Sequence, residues 1–286
     1  MKIKNSQSAI GFEENGFFVI NNFFDNQTVL EIADFYASFQ FKKSPELNTN
    51  IKSCSNEQNY LISDFLKSKF ESKIPEFFEE YQLGGGVFIM KGSGEESVSS
   101  LHQDFNVVDE RRFTSLTIWV PLIDVDESNG CIQIVAGSHK WFNSVRSFNM
   151  PSFFLDFNLV ADRLTAVPLR RGDAVVFNHS VFHGSKPNYS SNYRPAASFS
   201  LISSGAIPIH YIKHEDQVFI CQTDKDFYNE KAKMLFSGEI PDDLNIVNKI
   251  PFEENMIITK DKMTKYLSQK TDFKSRLKSF VSIFKK

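Results

Sequence analysis

His102-Gln103-Asp104, with His183 and then Arg194 well downstream, supplies two imidazoles, one carboxylate and one guanidinium. Two neutral histidines and one carboxylate on one face of a divalent metal leave the opposite positions open for a cosubstrate and O2, an arrangement used by non-haem Fe(II) oxygenases. The chemistry such a set supports is oxidative. In extended backbone residues i and i+2 point to the same side, so His102 and Asp104 converge on one ion while Gln103 turns away. Alone, an H-x-D pair is common and says little.

The distal histidine adds weight through its position. Arg170-Arg171-Gly172-Asp173 reads as a turn, Ala174 to Phe182 as a strand and His183-Gly184-Ser185 as the strand's end, which sets His183 at an accessible cavity. His179 shares strand parity with His183 and is the rival ligand, although a hydrogen-bonded core histidine is the preferred reading for it. A cupin-like Zn or Mn site that recruits His179 would have no need of Arg194. That arginine falls on the next β-prone segment, where an adjacent antiparallel strand brings it beside the metal. Guanidinium matches a carboxylate bidentately and stays charged when buried, which suits the far end of a dicarboxylic cosubstrate.

Elements that hold these residues follow from periodicity. GFFVINNFF (16–24) reads as a short strand, and Asp25-Asn26 open a helix with Val29, Leu30, Ile32, Ala33, Phe35 and Tyr36 as its apolar stripe. Residues 41–60 are polar and irregular, and helical spacing returns over 61–82. From Gly84 the character changes to GGGVFIM (84–90), a loop at 92–100 and LHQDFNVV (101–108), and short β-prone runs follow at 114–120, 131–135, 165–169, 173–182 and 196–202. Many short strands without alternating helices predict a mainly β chain with α decoration, its core a double-stranded β-helix (jelly roll, cupin-like) flanked by N-terminal and C-terminal helices.

A single domain over 1–286 is expected, with a helical layer at about 25–82, the jelly-roll core at about 85–210, a lid-like insertion at 141–163 and an extension at 211–286. In the strand 114–120, Leu116, Ile118 and Val120 take one face while Ser115, Thr117 and Trp119 take the other, so the polar face is the one to line the barrel. The segment 260–286 is basic, with Phe273, Leu277, Phe280 and Phe284 on one helical face, and is expected to dock on the body or on an acidic partner. His210 and His214 have i, i+4 spacing but lack a third ligand.

Composition narrows the partners. A formal charge of -3 offers no basic field for nucleic acid. From the polar start and the lack of any apolar run near the roughly 20 residues needed to span a bilayer, neither a secretory signal nor a transmembrane segment is expected. Cys54, Cys131 and Cys221 form an odd, scattered set with no C-x-x-C pair, which fits a reducing, cytoplasmic setting. The 30 phenylalanines fit a well-filled core.

HQD at 102–104, TIWVPLIDVDESNGCIQIVAGSHK at 117–140 and RRGDAVVFNHSVFHGSKPNYSSNYR at 170–194 together resemble the phytanoyl-CoA dioxygenase family of Fe(II)/2-oxoglutarate oxygenases. The likeness covers about residues 85–205, with a weaker echo at GFFVI (16–20). It implies that His102, Asp104 and His183 bind Fe(II) and that Arg194 pairs with the 5-carboxylate of 2-oxoglutarate. Ser185, Trp119 and Thr117 are implied to line the cosubstrate site. Oxidative decarboxylation with O2, giving succinate and CO2, would be coupled to oxidation of a substrate C–H bond.

Halogenating relatives carry a small residue in place of the carboxylate, so Asp104 points to hydroxylation. Desaturation or cyclisation in natural-product biosynthesis, and a catalytically silent binding module, are the alternatives. The expected substrate is a small organic molecule, free or carrier-tethered. Arg111 and Arg112 are expected to make exposed salt links, and Gly137-Ser138-His139 to form a turn.

Overall fold

Side-chain parity in the strand Ser115–Pro121 shows how the core is built. Leu116, Ile118 and Val120 are buried on one side with Phe23, Phe70 and Phe199, whereas Trp119 is buried on the other with Val175, Phe177 and Ala196. Ala174–Asn178 repeats the alternation, Ala174 and Val176 facing one way, Val175 and Phe177 the other. A sheet apolar on both faces must be covered on both.

A computed structural model, which describes residues 1–224 and 226–269, shows the two covers. The larger sheet has six antiparallel strands in the order Phe17–Ile20, Ala174–Asn178, Ser115–Pro121, Arg194–Ser203, Tyr81–Lys91 and Leu47–Thr49. The smaller has four, Ser99–His102, His183–Ser185, Ile132–Val135 and Leu164–Val167. They enclose Trp119, Ile132, Ile134, Val175 and Phe177 as a jelly roll, the mainly β fold with helical decoration that the strand spacing predicts.

Helices cover the outer face of the larger sheet. Asn26–Ser38 begins where Asp25 accepts from the Thr28 amide at 2.8 Å, and Asn56–Phe77 begins with a Ser55/Gln58 capping box. They bury Ile32, Ile62, Leu66, Phe70 and Ile74 completely, each worth about 1.5–3 kcal/mol. Phe70 meets Phe23, Phe24 and Phe199 at ring separations of 5.7, 4.9 and 5.2 Å, so the abundant phenylalanines fill core.

Several boundaries differ from expectation. The second helix starts at Asn56, and the first long core strand at Tyr81, because Gly84–Gly86 lie inside a strand and not before it. A Cβ at Gly86 would stand 2.7 Å from Leu66 Cβ, so glycine there lets the helix approach the sheet. Residues 41–60, read as irregular, contain the strand Leu47–Thr49 and the helical turn Asn50–Ser53.

The insertion 141–163 contains no strand and ends in a 3-10 stretch, Phe157–Arg163. Phe142, Phe153 and Phe157 pack on Leu101, Val135 and Phe182 beside the smaller sheet, and the Phe148 ring lies tilted, its centre 4.1 Å from that of Phe236 in the helix Phe227–Ser237. Ile209–His214, Gln217–Gln222 and Ile246–Pro251 form a third sheet. His210 and His214 therefore lie on a strand, and among the described residues neither belongs to a metal-binding cluster. Residues 260–269 are helical and bury Met263 against Leu101 and Phe182; Phe273, Leu277, Phe280 and Phe284 lie outside the described residues. Among the described residues no helix is long and apolar enough to cross a membrane.

Candidate metal centre and anion pocket

His102 ends one strand of the smaller sheet and His183 begins its neighbour, and the two are direct cross-strand partners with rings 4.5 Å apart. Gln103 turns away, its amide donating to the Ser180 carbonyl and its Oε1 accepting from the Ser144 hydroxyl. Asp104 returns to the histidine side, its amide donating to the His179 carbonyl at 2.9 Å. Its Oδ1 lies 4.0 Å from His102 Nε2 and 3.7 Å from His183 Nε2. One donor atom from each residue falls within 4.8 Å of the others, the only such three-residue cluster among the described residues.

Tautomers suit a ligand role. Ser100 O lies 2.8 Å from His102 Nδ1 and Val181 O 3.1 Å from His183 Nδ1; carbonyls only accept, so each Nδ1 carries the proton and each Nε2 keeps its lone pair. Burial, opposed by Asp104, holds His183 down to about 4, so the ring is neutral at physiological pH. Although burial pushes the Asp104 carboxyl up, His183, His179, His102 and Arg146 around it hold it below the usual range. The donor set is thus two imidazoles whose Nε2 atoms face a common point and a carboxylate, which fits Fe(II).

Strand parity does not connect His179 to His183. The strand stops at Asn178, whose side chain accepts from both the amide and the hydroxyl of Ser180, and the turn carries the chain into the other sheet before His183. His179 is buried with Nε2 3.0 Å from Thr117 Oγ1, and Thr117 in turn lies 3.4 Å from Asp104 Oδ2. Thr117 thus stands on the Asp104 side of the barrel. Ser138 of the Gly137-Ser138-His139 turn accepts from the Phe182 amide at 2.8 Å and fixes the approach to His183.

Arg194, 2% exposed, opens its strand with the guanidinium 5.0 Å from the Trp119 ring centre. Its Nε and Nη1 have no hydrogen-bond partner, and among the described residues no carboxylate pairs with it. A buried cation without an anion is expensive, so these orphaned donors fit a carboxylate ligand. Ser185 lies within the same region, its hydroxyl 2.9 Å from Lys91 Nζ.

Three residues of this region escape a sequence reading. Lys91 ends the apolar run VFIMK and reads as a strand-end charge, yet it is completely buried opposite Arg194. Arg146, from the insertion, donates to the Asp104 carbonyl and to Glu110, and no periodicity marks it. Glu110 is found only through that contact. By contrast Arg111 pairs with Asp109 at 2.8 Å and is largely exposed, as expected, and Arg112 lies 5.4 Å from the Phe113 ring centre. Beside His102 opens a small, partly open pocket lined by Gln103, Ser144, Arg146, Phe153 and Ile258.

Comparison with known proteins agrees with this geometry. The chain is 26% identical over 148 residues to Dioxygenase olcK of Penicillium canescens, covering 49% of this chain and 43% of that one. To the peroxisomal phytanoyl-CoA dioxygenase of Mus musculus it is 25% identical over 231 residues, 68% and 67% of the two chains. The fold matches that of EvdO2 from Micromonospora carbonacea var. aurantiaca, solved with 2-oxoglutarate, at a TM-score of 0.54 and 19% identity over 74% of this chain and 94% of that one. The family model for phytanoyl-CoA dioxygenase (PhyH) matches residues 12–196, a span that contains the triad, the buried arginine, the smaller sheet and all of the larger one but most of the strand Arg194–Ser203. On that match the chain belongs to the phytanoyl-CoA dioxygenase family.

Proposed function

We propose that this chain is an Fe(II)- and 2-oxoglutarate-dependent oxygenase that hydroxylates a C–H bond of a small organic molecule, with release of succinate and CO2. One observation carries the reading: a triad of two histidines and a carboxylate shares a barrel with a buried arginine whose Nε and Nη1 have no partner. Iron with 2-oxoglutarate and O2 supplies the oxidising power when bound.

The chain's own groups do the positioning. His102 Nε2, His183 Nε2 and an Asp104 oxygen hold the metal, the two histidines each braced by a backbone carbonyl and Asp104 by its own amide. Arg194 binds the distal carboxylate of the cosubstrate, with Trp119 flanking the guanidinium and Ser185 adding a hydroxyl. Thr117 is nearer to Asp104 than to Arg194 in role, since its hydroxyl reaches the carboxylate's outer oxygen and so orients it.

The substrate enters beside His102. Gln103, Ser144, Phe153 and Ile258 line that opening and suit a molecule with both polar and apolar parts, held under the 141–163 segment as a lid. Three free, buried cysteines support a reducing, cytoplasmic setting.

The test is direct. Anaerobic Fe(II) and 2-oxoglutarate added to the protein are expected to give a weak visible charge-transfer band, and O2 then yields succinate. An Asp104→Ala protein that binds iron and forms succinate at the wild-type rate overturns the assignment. Compounds that accelerate succinate release identify the substrate.

A further inference from the structure

The small opening beside His102 is walled by two segments distant in sequence. Ser144, Arg146 and Phe153 come from the insertion, Ile257 and Ile258 from the extension that follows the third sheet. A backbone bond joins the two, the Val145 amide donating to the Met256 carbonyl at 2.7 Å. Lys262 pins the extension, its ammonium donating to the carbonyls of Glu254 at 3.0 Å and Ile257 at 2.8 Å. Ile258 is buried in one cluster with Leu101 and Phe182, the residues that precede His102 and His183. Ile257 is half-buried on the cluster of Met150, Ile209 and Tyr211.

Except for Ser152 on the exposed rim, the hydroxyl and amide side chains of these walls are already partnered within the protein. Gln103 donates to the Ser180 carbonyl and accepts from the Ser144 hydroxyl, and the Ser147 hydroxyl donates to Asn149 Oδ1 at 2.9 Å. Arg146 is the one lining side chain that is charged at any ordinary pH, and all three of its nitrogens are taken. Nε donates to the Asp104 carbonyl, Nη1 to the Ser144 carbonyl at 3.0 Å and Nη2 to both oxygens of Glu110. Among the described residues no lysine, aspartate or glutamate lines the opening. An ionised group brought here loses water and gains no counter-ion, which is costly. The surface left for a ligand is carbon, from Val145, Phe153, Ile257 and Ile258.

We propose that the substrate is an uncharged, largely apolar molecule whose polar groups are hydroxyls or carbonyls, and that Ile257 and Ile258 are specificity-determining residues for it. This rests on the oxygenase reading above and narrows its substrate class to lipophilic alcohols, ketones and hydrocarbon frames. An amino acid or a free acid, ionised close to the reacting carbon, does not fit an opening whose only fixed charge is already paired. The two isoleucines lie beyond residue 196, where the family match ends, so the triad and the buried arginine fall within the shared span while part of the substrate wall is this chain's own.

Calorimetric titration of anaerobic protein loaded with Mn(II) and saturating 2-oxoglutarate reads this preference with probes that share a carbon frame and differ in ionisation: octanol against octanoate, and naphthalenemethanol against naphthoate. In at least one pair the alcohol is expected to bind roughly tenfold or more tightly than its carboxylate. Ile257→Arg sets an unpaired guanidinium at the opening and is expected to invert that preference by a similar factor. Leu61→Arg adds the same charge on the exposed side of the helix Asn56–Phe77 and is expected to leave the ratio unmoved. Carboxylates that bind as tightly as their alcohols, octanoyl-CoA that binds more tightly than octanol, or failure of both alcohols to bind overturns the proposal. So does a folded Ile257→Arg protein that keeps the wild-type preference; where that variant does not fold, the wild-type pairs decide. Wild-type protein that binds Mn(II) but not 2-oxoglutarate sinks the oxygenase reading and this inference with it, whereas cosubstrate binding without the preference for alcohols sinks this inference alone.

Discussion

Arg146 donates its Nε–H to the carbonyl oxygen of Asp104, and its outer nitrogen lies 2.7 Å from each oxygen of Glu110. A residue of the insertion is thus bound to the backbone of the carboxylate proposed to hold the metal. The side chains of the pair are only 12% and 11% exposed, so the charges are largely withdrawn from water. Arg146→Met strands Glu110 and is expected to cost about 3–5 kcal/mol, which lowers the melting temperature by on the order of 10 °C. An Arg146→Met/Glu110→Leu double variant recovers part of that loss, since no lone charge remains. Thermal unfolding of Arg146→Met, Glu110→Leu and the double variant checks this, and a double variant less stable than the wild type by the full sum of the two single changes refutes the coupling.

Thr117 tests how the carboxylate is held. Its hydroxyl stands between His179 Nε2 at 3.0 Å and Asp104 Oδ2 at 3.4 Å. Thr117→Val keeps the volume and removes the donor, at about 1 kcal/mol, so Fe(II) affinity in anaerobic chelator competition is expected to drop about fivefold. Thr117→Ser restores it. Wild-type affinity in Thr117→Val excludes an orienting role.

The period-2 pattern at 114–120 announced which face of that strand lines the barrel, and the structure puts Thr117 and Trp119 inside and Leu116, Ile118 and Val120 against the helices. The two ligands at 102 and 104 were equally legible, because i and i+2 share a face in any extended segment. What the pattern could not reveal is where one strand stops: a turn held by Asn178 ends it before His179, so His183 begins a strand in the other sheet. Long-range partners were hidden for a related reason. Lys91 and Arg194 meet only because two strands distant in sequence pair in one register, and Arg146 meets Asp104 through a segment without periodicity.

His210 gives the protein a share of its acid sensitivity. It is fully buried among Phe105, Phe148, Phe227 and Tyr228, its Nε2 has no partner, and burial depresses it to about 3. The folded pKa lies below the unfolded value of about 6.5, so the unfolded chain protonates first as pH falls. Stability from this residue is therefore complete above about pH 6.5 and declines towards pH 3, at up to about 1.4 kcal/mol per pH unit. Urea unfolding at pH 7.5 and 5 is expected to show a smaller loss for His210→Leu than for the wild type, by about 2 kcal/mol. Parallel losses would mean that His210 is not buried as a neutral ring.

Arg194 makes a prediction of opposite sign for the empty and occupied protein. Burial lowers its guanidinium only to about 10, so it stays charged at neutral pH with Nε and Nη1 unpartnered. Holding that charge without an anion destabilises the fold, and replacing it by an apolar side chain of similar length removes the cost. Arg194→Met is expected to melt at or above the wild-type temperature without ligand. Saturating 2-oxoglutarate with Mn(II) raises wild-type stability by about 2.7 kcal/mol at a hundredfold excess over Kd, because only the folded state binds it. The same addition leaves Arg194→Met unmoved beyond the effect of Mn(II) alone. A variant that loses stability when empty and still responds to 2-oxoglutarate would show that the guanidinium serves the fold and not the cosubstrate.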